Sequence, residues 1–337
     1  MPGESEIIAK IRARTLPSGR VIVGVGDDAA ILEQRQNRDL VSCCDLSIEG
    51  VHFRLEWATP RMIGRKALAV TLSDVAAMGG AANFALVSVA LAAGTKDELI
   101  DELFGGLFEE AEAFGVSIVG GDTSKSPGPL FIDTTVIGEC ASGAAVRRSS
   151  AAPGDTIFVT GSLGGSGLGL KLLESGHRLS ADQNQPPAEE SMRRQAILRH
   201  LAPEPRMSAG EAIGKLGLAT AMIDISDGLS TDLGHILEES HCGAIIRADS
   251  IPIADCVRRL SPAEPELDPI SLALQSGEEY ELLFTAQSEM QPHLSELAVA
   301  LDLPITAIGE ITREPGMRLL REGKESALTP SGYEHAF

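Results

Sequence analysis

Acidic residues close the apolar runs of this chain, each time beside glycine or another small residue. The segments are Val23-Gly24-Val25-Gly26-Asp27-Asp28, Val41-Ser42-Cys43-Cys44-Asp45, Ile118-Val119-Gly120-Gly121-Asp122 and Met222-Ile223-Asp224-Ile225-Ser226-Asp227. Short runs of this kind read as buried strands, and a terminal acid puts a carboxylate at the rim of a sheet, where α/β folds bind ligands. One such acid is an ordinary cap or turn residue, but the recurrence does not suit a set of separate caps. Carboxylates gathered in one crevice repel and raise one another's pKa unless cations lie between them. Hard oxygen ligands select Mg²⁺, which takes one or two carboxylates and fills its shell with water and phosphate oxygens. The pattern points first to a Mg-nucleotide enzyme.

At 337 residues the chain is long enough for two domains. The pattern restarts around Arg147–Pro153, which sets the expected boundary: 1–148 as an N-terminal domain and 149–337 as a C-terminal one. The net charge of −20 argues against nucleic-acid backbones and anionic membranes as partners. A phosphate substrate would therefore need metal ions to mediate its binding. The 5 cysteines, at positions 43, 44, 140, 242 and 256, are odd in number and do not suggest a disulfide scaffold. Met1–Glu6 lacks the basic and apolar regions of a signal peptide, and the nearest thing to a membrane span, Phe84–Gly94, reads as a buried strand. A cytoplasmic protein is expected.

Along the chain, two short strands flank a Gly-Asp-Asp turn within Val21–Leu32, and Val41–Cys44 forms a third. Pro60 suits the first position of a helix that stops at Gly79-Gly80. Strands are expected at Asn83–Ala92, Val116–Val119 and Leu130–Glu139. Between the first two, Thr95-Lys96-Asp97-Glu98 reads as a capping box for a helix carrying Leu99, Leu103, Leu107, Ala111 and Phe114 on one face. The second half reads as strands at Thr156–Thr160, Met222–Ser226, Ala244–Arg247, Glu281–Thr285 and Ile305–Ile311. Asp227-Gly228 opens a helix through Glu239, while Ala181–Glu190 and Ser261–Pro269 read as surface loops.

Stock nucleotide motifs are missing: Gly214-Lys215 is followed by Leu216 and is no P-loop, and no G-x-G-x-x-G occurs. Gly164-Gly165-Ser166-Gly167 falls short of a hydrolase elbow. His235, His241, Cys242 and Cys256 lack zinc-finger spacing. The loop Gly161–Gly167 could offer backbone N–H groups to an anion, or could simply be a tight turn. Asp74 lies in an apolar helical stretch, where it either meets a partner or a metal, or shares a solvent face with Ser73. Trp57, Tyr280 and Tyr333 could stack on an aromatic substrate, but single aromatics more often fill core or surface.

As an ordered set the segments resemble the thiamine-monophosphate kinase family, of the superfamily shared with aminoimidazole-ribonucleotide synthetase. The matching stretches are Gly26–Ala30, Asp45 with Glu49–Phe53, Lys66–Gly79, Gly120–Thr123, Arg148 and Pro153–Asp155. They continue with Asp224–Leu229, Gly277–Phe284 and Gly332–His335, in family order over nearly the whole chain. The resemblance implies ATP-dependent phosphorylation of thiamine monophosphate to thiamine diphosphate. It implies several Mg²⁺ ions held by Asp28, Asp45, Asp74, Asp122, Asp224 and Asp227, with Cys43 and Cys44 at the adjoining positions. A monovalent cation is a further possible cofactor. ATP would meet Phe104, Gly121, Asp122, Arg148 and Ser226, and thiamine phosphate would meet His52, Glu278 and Tyr333. No residue is assigned as a general base. The implied fold is α/β (α+β), two domains, with the N-terminal sheets of two chains pairing into a barrel across a homodimer.

Three departures stand out. Cys43-Cys44 replaces a Thr pair, and a soft thiol is a poor Mg²⁺ ligand, so position 44 would contribute through its backbone carbonyl. Phe104 stands where some members carry Tyr, and Ser276-Gly277-Glu278-Glu279-Tyr280 replaces Gly-Gly-Glu-Asp-Tyr. The runners-up are another ATP-using synthetase of the superfamily and a non-catalytic nucleotide- or metal-binding regulator. A selenophosphate synthetase should carry a reactive N-terminal Cys, which residues 1–25 lack, and a hydrogenase-maturation member should end in Cys rather than Ala336-Phe337. Retained His52 and Glu278 speak against a pure nucleotide binder.

Overall fold

The computed structural model describes residues 10–14, 19–23, 25, 30–179, 188–263 and 267–333. The Gly26–Ala29 turn with Asp28, most of the Ala181–Glu190 segment, and Glu334-His335 lie outside the described residues. The chain divides into two compact units, Met1–Val75 with Gly80–Ala145, and Ala76–Gly79 with Val146–Phe337. Among the described residues no helix is long and apolar enough to cross a membrane.

In the first unit, β1 (Val21–Val23) pairs antiparallel with β2 (Ile31–Leu32), giving the two short strands the sequence suggests. A four-stranded sheet has the order β3 (Arg38–Ile48), β6 (Phe131–Ala141), β4 (Ala81–Ala92), β5 (Ser117–Ser126), with only β4 and β5 parallel. Helix α1 (Pro60–Ala77) lies on one face of this sheet, where Thr134 Oγ1 donates to the Ala67 carbonyl at 2.9 Å. Helix α2 (Asp97–Ala113) buries Ile100, Leu103, Phe104, Leu107, Phe108 and Ala111. Its apolar face is therefore rotated from the expected one, leaving Leu99 and Phe114 only half-buried. The expected capping box does not form. Thr95 Oγ1 donates to the Ala92 carbonyl at 2.8 Å, closing the turn after β4, and the cap position falls on Lys96 with no side-chain cap.

A larger correction concerns the acids. β3 and β5 do not end at Asp45 and Asp122 but pair onward past them, to Ile48 and Ser126. The apolar run stops, yet the ladder continues, because alternate residues beyond it face opposite sides and one side of the sheet is open. These two carboxylates stand within the sheet rather than at its rim.

The second unit holds a seven-stranded sheet of order β13-β12-β9-β11-β7-β10-β8. Its strands are β7 (Thr156–Thr160), β8 (Ala221–Asp224), β9 (Gly243–Arg247), β10 (Leu282–Ala286), β11 (Ile305–Thr312), β12 (Gly316–Arg321) and β13 (Lys324–Leu328). β10 is buried along its full length, and its Phe284 stacks on Phe158 of β7 with ring centroids 5.4 Å apart. The helices are α3 (Gly165–Glu174), α4 (Ala188–Leu201), α5 (Met207–Leu216), α6 (Leu229–Ser240), α7 (Asp255–Leu260), α8 (Pro269–Gln275) and α9 (Gln291–Ala300). Gly165–Gly167, expected as loop, is the first turn of α3, and Ala188–Glu190 begins α4. Here the end-of-run rule holds: Asp224 is the last residue of β8.

Candidate functional site

In the first unit α1 supplies the surroundings of Asp45. Strand alternation turns Cys43, Asp45 and Thr134 toward the helix, and the Cys43 thiol donates to the Thr71 carbonyl at 3.3 Å. Burial raises the Asp45 pKa above the usual carboxylate range, and the charge of Asp133 adds to it; a hydrogen bond from Thr71 pulls the other way. Asp45 Oδ2 is buried without a hydrogen-bond partner. Leaving such an oxygen unmatched costs about 1–3 kcal/mol or more, and a hard cation would remove that cost. Asp74 is half-buried in α1 between Ser73 and Val75, both fully buried. The shared solvent face considered for Ser73 and Asp74 is therefore overturned for Ser73, because the helix turns that residue inward.

Asp122 is exposed on β5, in a row with Ser88 and Asp133, one step along from the row that joins Asp45, Thr134, Val87 and Gly121. By alternation Asp122 and Asp45 face opposite sides of the sheet. Gly121 is at φ 152°, and a Cβ there would lie 1.8 Å from the Val87 carbonyl oxygen, so the position admits only glycine. Cys44 is exposed on the side opposite Asp45. The thiols of Cys43 and Cys44 therefore diverge. His52 Nδ1 accepts from the Ile48 amide at 3.0 Å, which leaves the ring proton on Nε2. Phe104 lines a cleft of about 330 Å³ with Phe108, Ile100 and residues of the 10–14 segment. Trp57 carries the Arg54 guanidinium 5.0 Å from its ring centroid, the surface-filling role.

The second unit gathers its residues around the loop that leaves β8. Glu278 donates its amide to the Ser226 carbonyl at 2.7 Å, Tyr280 to Ile225 at 2.9 Å, and Tyr333 to Asp227 at 3.0 Å. Ser226, Asp227, Glu278 and Tyr333 are thus tied backbone to backbone. The approach is close: a Cβ on Gly277 would lie 2.6 Å from the Ser226 oxygen, and one on Gly332 2.1 Å from that of Asp227. Glu278 and Tyr280 sit at φ 57° and 51°, a left-handed conformation that costs non-glycine residues about 1–2 kcal/mol each. Such strain persists where surrounding bonds over-determine it. Arg148 follows in a short helical turn, its carbonyl accepting from Ser240 Oγ at 2.9 Å and its side chain exposed.

Residues the sequence reading missed complete this loop. The buried Asp232 carboxylate accepts from the amides of Asp227 at 3.1 Å and Gly228 at 3.0 Å. Burial, then the charges of Asp224 and Asp227, push its pKa up to about 8. One oxygen or nitrogen from each of Asp227, Asp232 and His235 lies within 4.8 Å of the others. The N-terminus of α3 is already occupied by the chain's own Glu279 carboxyl, whose Oε1 accepts from the Ser166 amide at 3.0 Å. The anion-cradle reading of Gly161–Gly167 is corrected accordingly. His200, buried on α4, faces Glu278 with Nδ1 3.1 Å from Oε2. An acid on the first turns of a helix could have flagged Asp232; nothing local marks His200.

Two places have the chemistry of a hard divalent cation site: Asp45, desolvated and with Oδ2 unpartnered, and the mutually repelling Asp224, Asp227 and Asp232, neither needing a soft ligand. The chain matches the AIR synthase related protein N-terminal domain over residues 26–140 and the AIR synthase related protein C-terminal domain over residues 152–321. These two domains, each mixing helices with sheet, define its class. The thiamine-monophosphate kinase of Bacillus subtilis (strain 168) is 36% identical over 334 residues, spanning 98% of this chain and 99% of that protein. The crystal structure of thiamine-monophosphate kinase from Stenotrophomonas maltophilia K279a aligns at TM-score 0.83 and 37% identity, covering 94% of this chain and 96% of that one. A second solved structure, AaThiL complexed with AMPPCP and TMP, aligns at TM-score 0.77 and 31% identity, covering 99% and 97%. This chain belongs to the thiamine-monophosphate kinase family of the AIR synthase related proteins.

Proposed function

We propose that this chain transfers the γ-phosphate of ATP to thiamine monophosphate, forming thiamine diphosphate and ADP. The observation that carries the reading is its likeness, over nearly the full length of both chains, to a structure solved with AMPPCP and TMP. The backbone-tied loop of Ser226, Asp227, Glu278 and Tyr333 agrees with it, since nucleotide, metal and acceptor positions then move as one body. Residues 1–148 would form the Mg-ATP-binding and dimerisation domain, and 149–337 the domain completing the site.

Asp45, Asp74, Asp122, Asp224 and Asp227, with Asp28, are the proposed Mg²⁺ ligands, Cys43 and Cys44 contributing at most backbone oxygens. Mg²⁺ held by these acids would supply charge neutralisation for a loose phosphoryl-transfer transition state. Arg148 adds a guanidinium to the phosphates, with Phe104, Gly121 and Ser226 as further nucleotide contacts. Glu278 balances the positive ring of the acceptor, Tyr333 stacks on it, and His52 offers its Nε2–H. The acceptor phosphate oxygen is already nucleophilic, so no side chain has to act as a general base. The molecule is proposed to act as a cytoplasmic homodimer. Edge strand β3 exposes Leu40 and Leu46, by 56% and 49%, on the open side of its sheet, where a second copy would extend the sheet toward a barrel.

The test is purified protein with ATP and Mg²⁺, offered thiamine monophosphate or thiamine as acceptor. Thiamine diphosphate should form from the first and little product from the second, which lacks the group the metals hold. Equal rates with both acceptors would overturn the reading.

A further inference from the structure

Glu278 has the unusual task of presenting a carboxylate from a left-handed backbone position, φ 57°, where no regular element holds it. Its side chain is not left to rotate. His200, 5% exposed on α4, brings Nδ1 to 3.1 Å from Glu278 Oε2, and the same nitrogen lies 3.1 Å from Ser166 Oγ at the start of α3. A lone pair on Nδ1 would face the carboxylate oxygen in repulsion, so the neighbouring acid fixes the tautomer with its proton on Nδ1. The single Nδ1–H then donates to Glu278 Oε2 and is shared with Ser166 Oγ, both of which accept. Ser166 is pinned in turn, because its amide donates to Glu279 Oε1 at 3.0 Å and Arg199, the residue before His200, donates to the Ser162 carbonyl at 2.8 Å. Two helices thus stand behind the 276–281 loop: His200, in the last turn of α4, reaches the Glu278 carboxylate, and Ser166, at the start of α3, reaches His200 Nδ1 and Glu279.

We infer that His200, braced by Ser166, is a positioning residue that aims the Glu278 carboxylate at the acceptor and so sets acceptor specificity. The inference rests on the reading that Glu278 meets the cationic ring of thiamine monophosphate. A charge-assisted hydrogen bond orients a carboxylate more strongly than a neutral one, and it lowers the cost of keeping Glu278 ionised and partly buried. Because the imidazole would act through the acid, its loss should appear in acceptor binding and leave nucleotide binding alone.

The experiment is steady-state kinetics with either thiamine monophosphate or ATP varied, for His200→Phe, His200→Asn, Ser166→Ala, Glu278→Gln and His200→Phe/Glu278→Gln, with folding checked by thermal unfolding. His200→Phe keeps the ring volume and loses the donor; the acceptor KM should rise roughly tenfold, as for loss of a hydrogen bond to a charged group. Its KM for ATP should stay within about twofold, since ATP does not touch Glu278 in this account. His200→Asn, whose amide nitrogen occupies the Nδ1 position, should recover most of the loss, and Ser166→Ala should show a smaller rise. The double variant should be no worse than Glu278→Gln alone, the signature of coupling through one group. A folded His200→Phe with parental acceptor KM, beside a Glu278→Gln that raises it, would overturn the role of His200. An unaffected Glu278→Gln would instead overturn the acceptor role of Glu278 itself. Should His200→Phe not fold, Ser166→Ala carries the comparison: its acceptor KM should rise with the ATP KM unchanged, and a parental acceptor KM would overturn the proposal.

Discussion

The two units hold their acids in different ways. In the N-terminal unit Asp45 and Asp122 are fixed by strand register, one against α1 and one on the open side, so each is set by a ladder that neither carboxylate helps to build. In the C-terminal unit Asp224 ends a strand and Asp227 stands in a loop shaped by amides of Glu278, Tyr280 and Tyr333 and by the Asp232 carboxylate. Charge can be removed from the first set with the frame intact. The second set is part of its own frame, and small changes of shape there should move the site.

The largest expected effect tests the first half of that contrast. Asp45→Asn should cut turnover on the order of a hundredfold, as when a preorganised electrostatic group is lost, while the apo protein melts higher than the parent. Its raised folded pKa means the folded state resists ionisation, so apo stability declines as pH rises through the carboxylate range, and the amide removes that decline. Calorimetry without Mg²⁺ beside activity with it checks both. A lower melting point would mean that the carboxylate supports the frame.

Next in size is the second half. Gly332→Ala puts a methyl group against the Asp227 carbonyl and Thr231 Oγ1. Overpacking of this kind costs about 1–3 kcal/mol. The melting temperature should fall and the acceptor KM rise together, because Tyr333 is displaced with the segment that carries it. Unchanged kinetics would show that the loop tolerates movement.

A smaller effect separates structural from functional acid in the same loop. Burial drives the Glu279 pKa up to about 8, with Glu281 adding to it and Arg199 opposing. The unfolded chain releases this proton near pH 4.5 and the folded chain holds it until about pH 8, so stability should fall as pH rises across that interval and level off above it. Melting curves at pH 5 and pH 8.5 should differ less for Glu279→Gln than for the parent. The smallest effect is Cys44→Ser: with its thiol exposed and turned from Asp45, activity and Mg²⁺ dependence should stay within about twofold.

The contrast also explains what the sequence made legible. β7 and β10 carry unbroken apolar runs because they are buried on both sides, and their positions were readable to within a residue. β3 and β5 were read too short, since an open face lets polar residues alternate beyond the apolar run. The β12–β13 hairpin escaped notice because Lys324-Glu325-Ser326 is an exposed edge with no apolar alternation. Asp224, Asp227 and Glu278 stood out as acids beside small residues or within a family-like stretch. His200 did not, because it acts through a contact between residues far apart in the chain, and a single histidine on a polar helix carries no local mark.

The most direct measurement follows the label from γ-labelled ATP in a single turnover with excess protein, Mg²⁺ and thiamine monophosphate. Direct transfer predicts that all transferred label appears in thiamine diphosphate, one per ADP, with none on the protein, since the acceptor phosphate oxygen attacks the γ-phosphate itself. Label retained on the protein, or ADP released without thiamine diphosphate, would contradict the account.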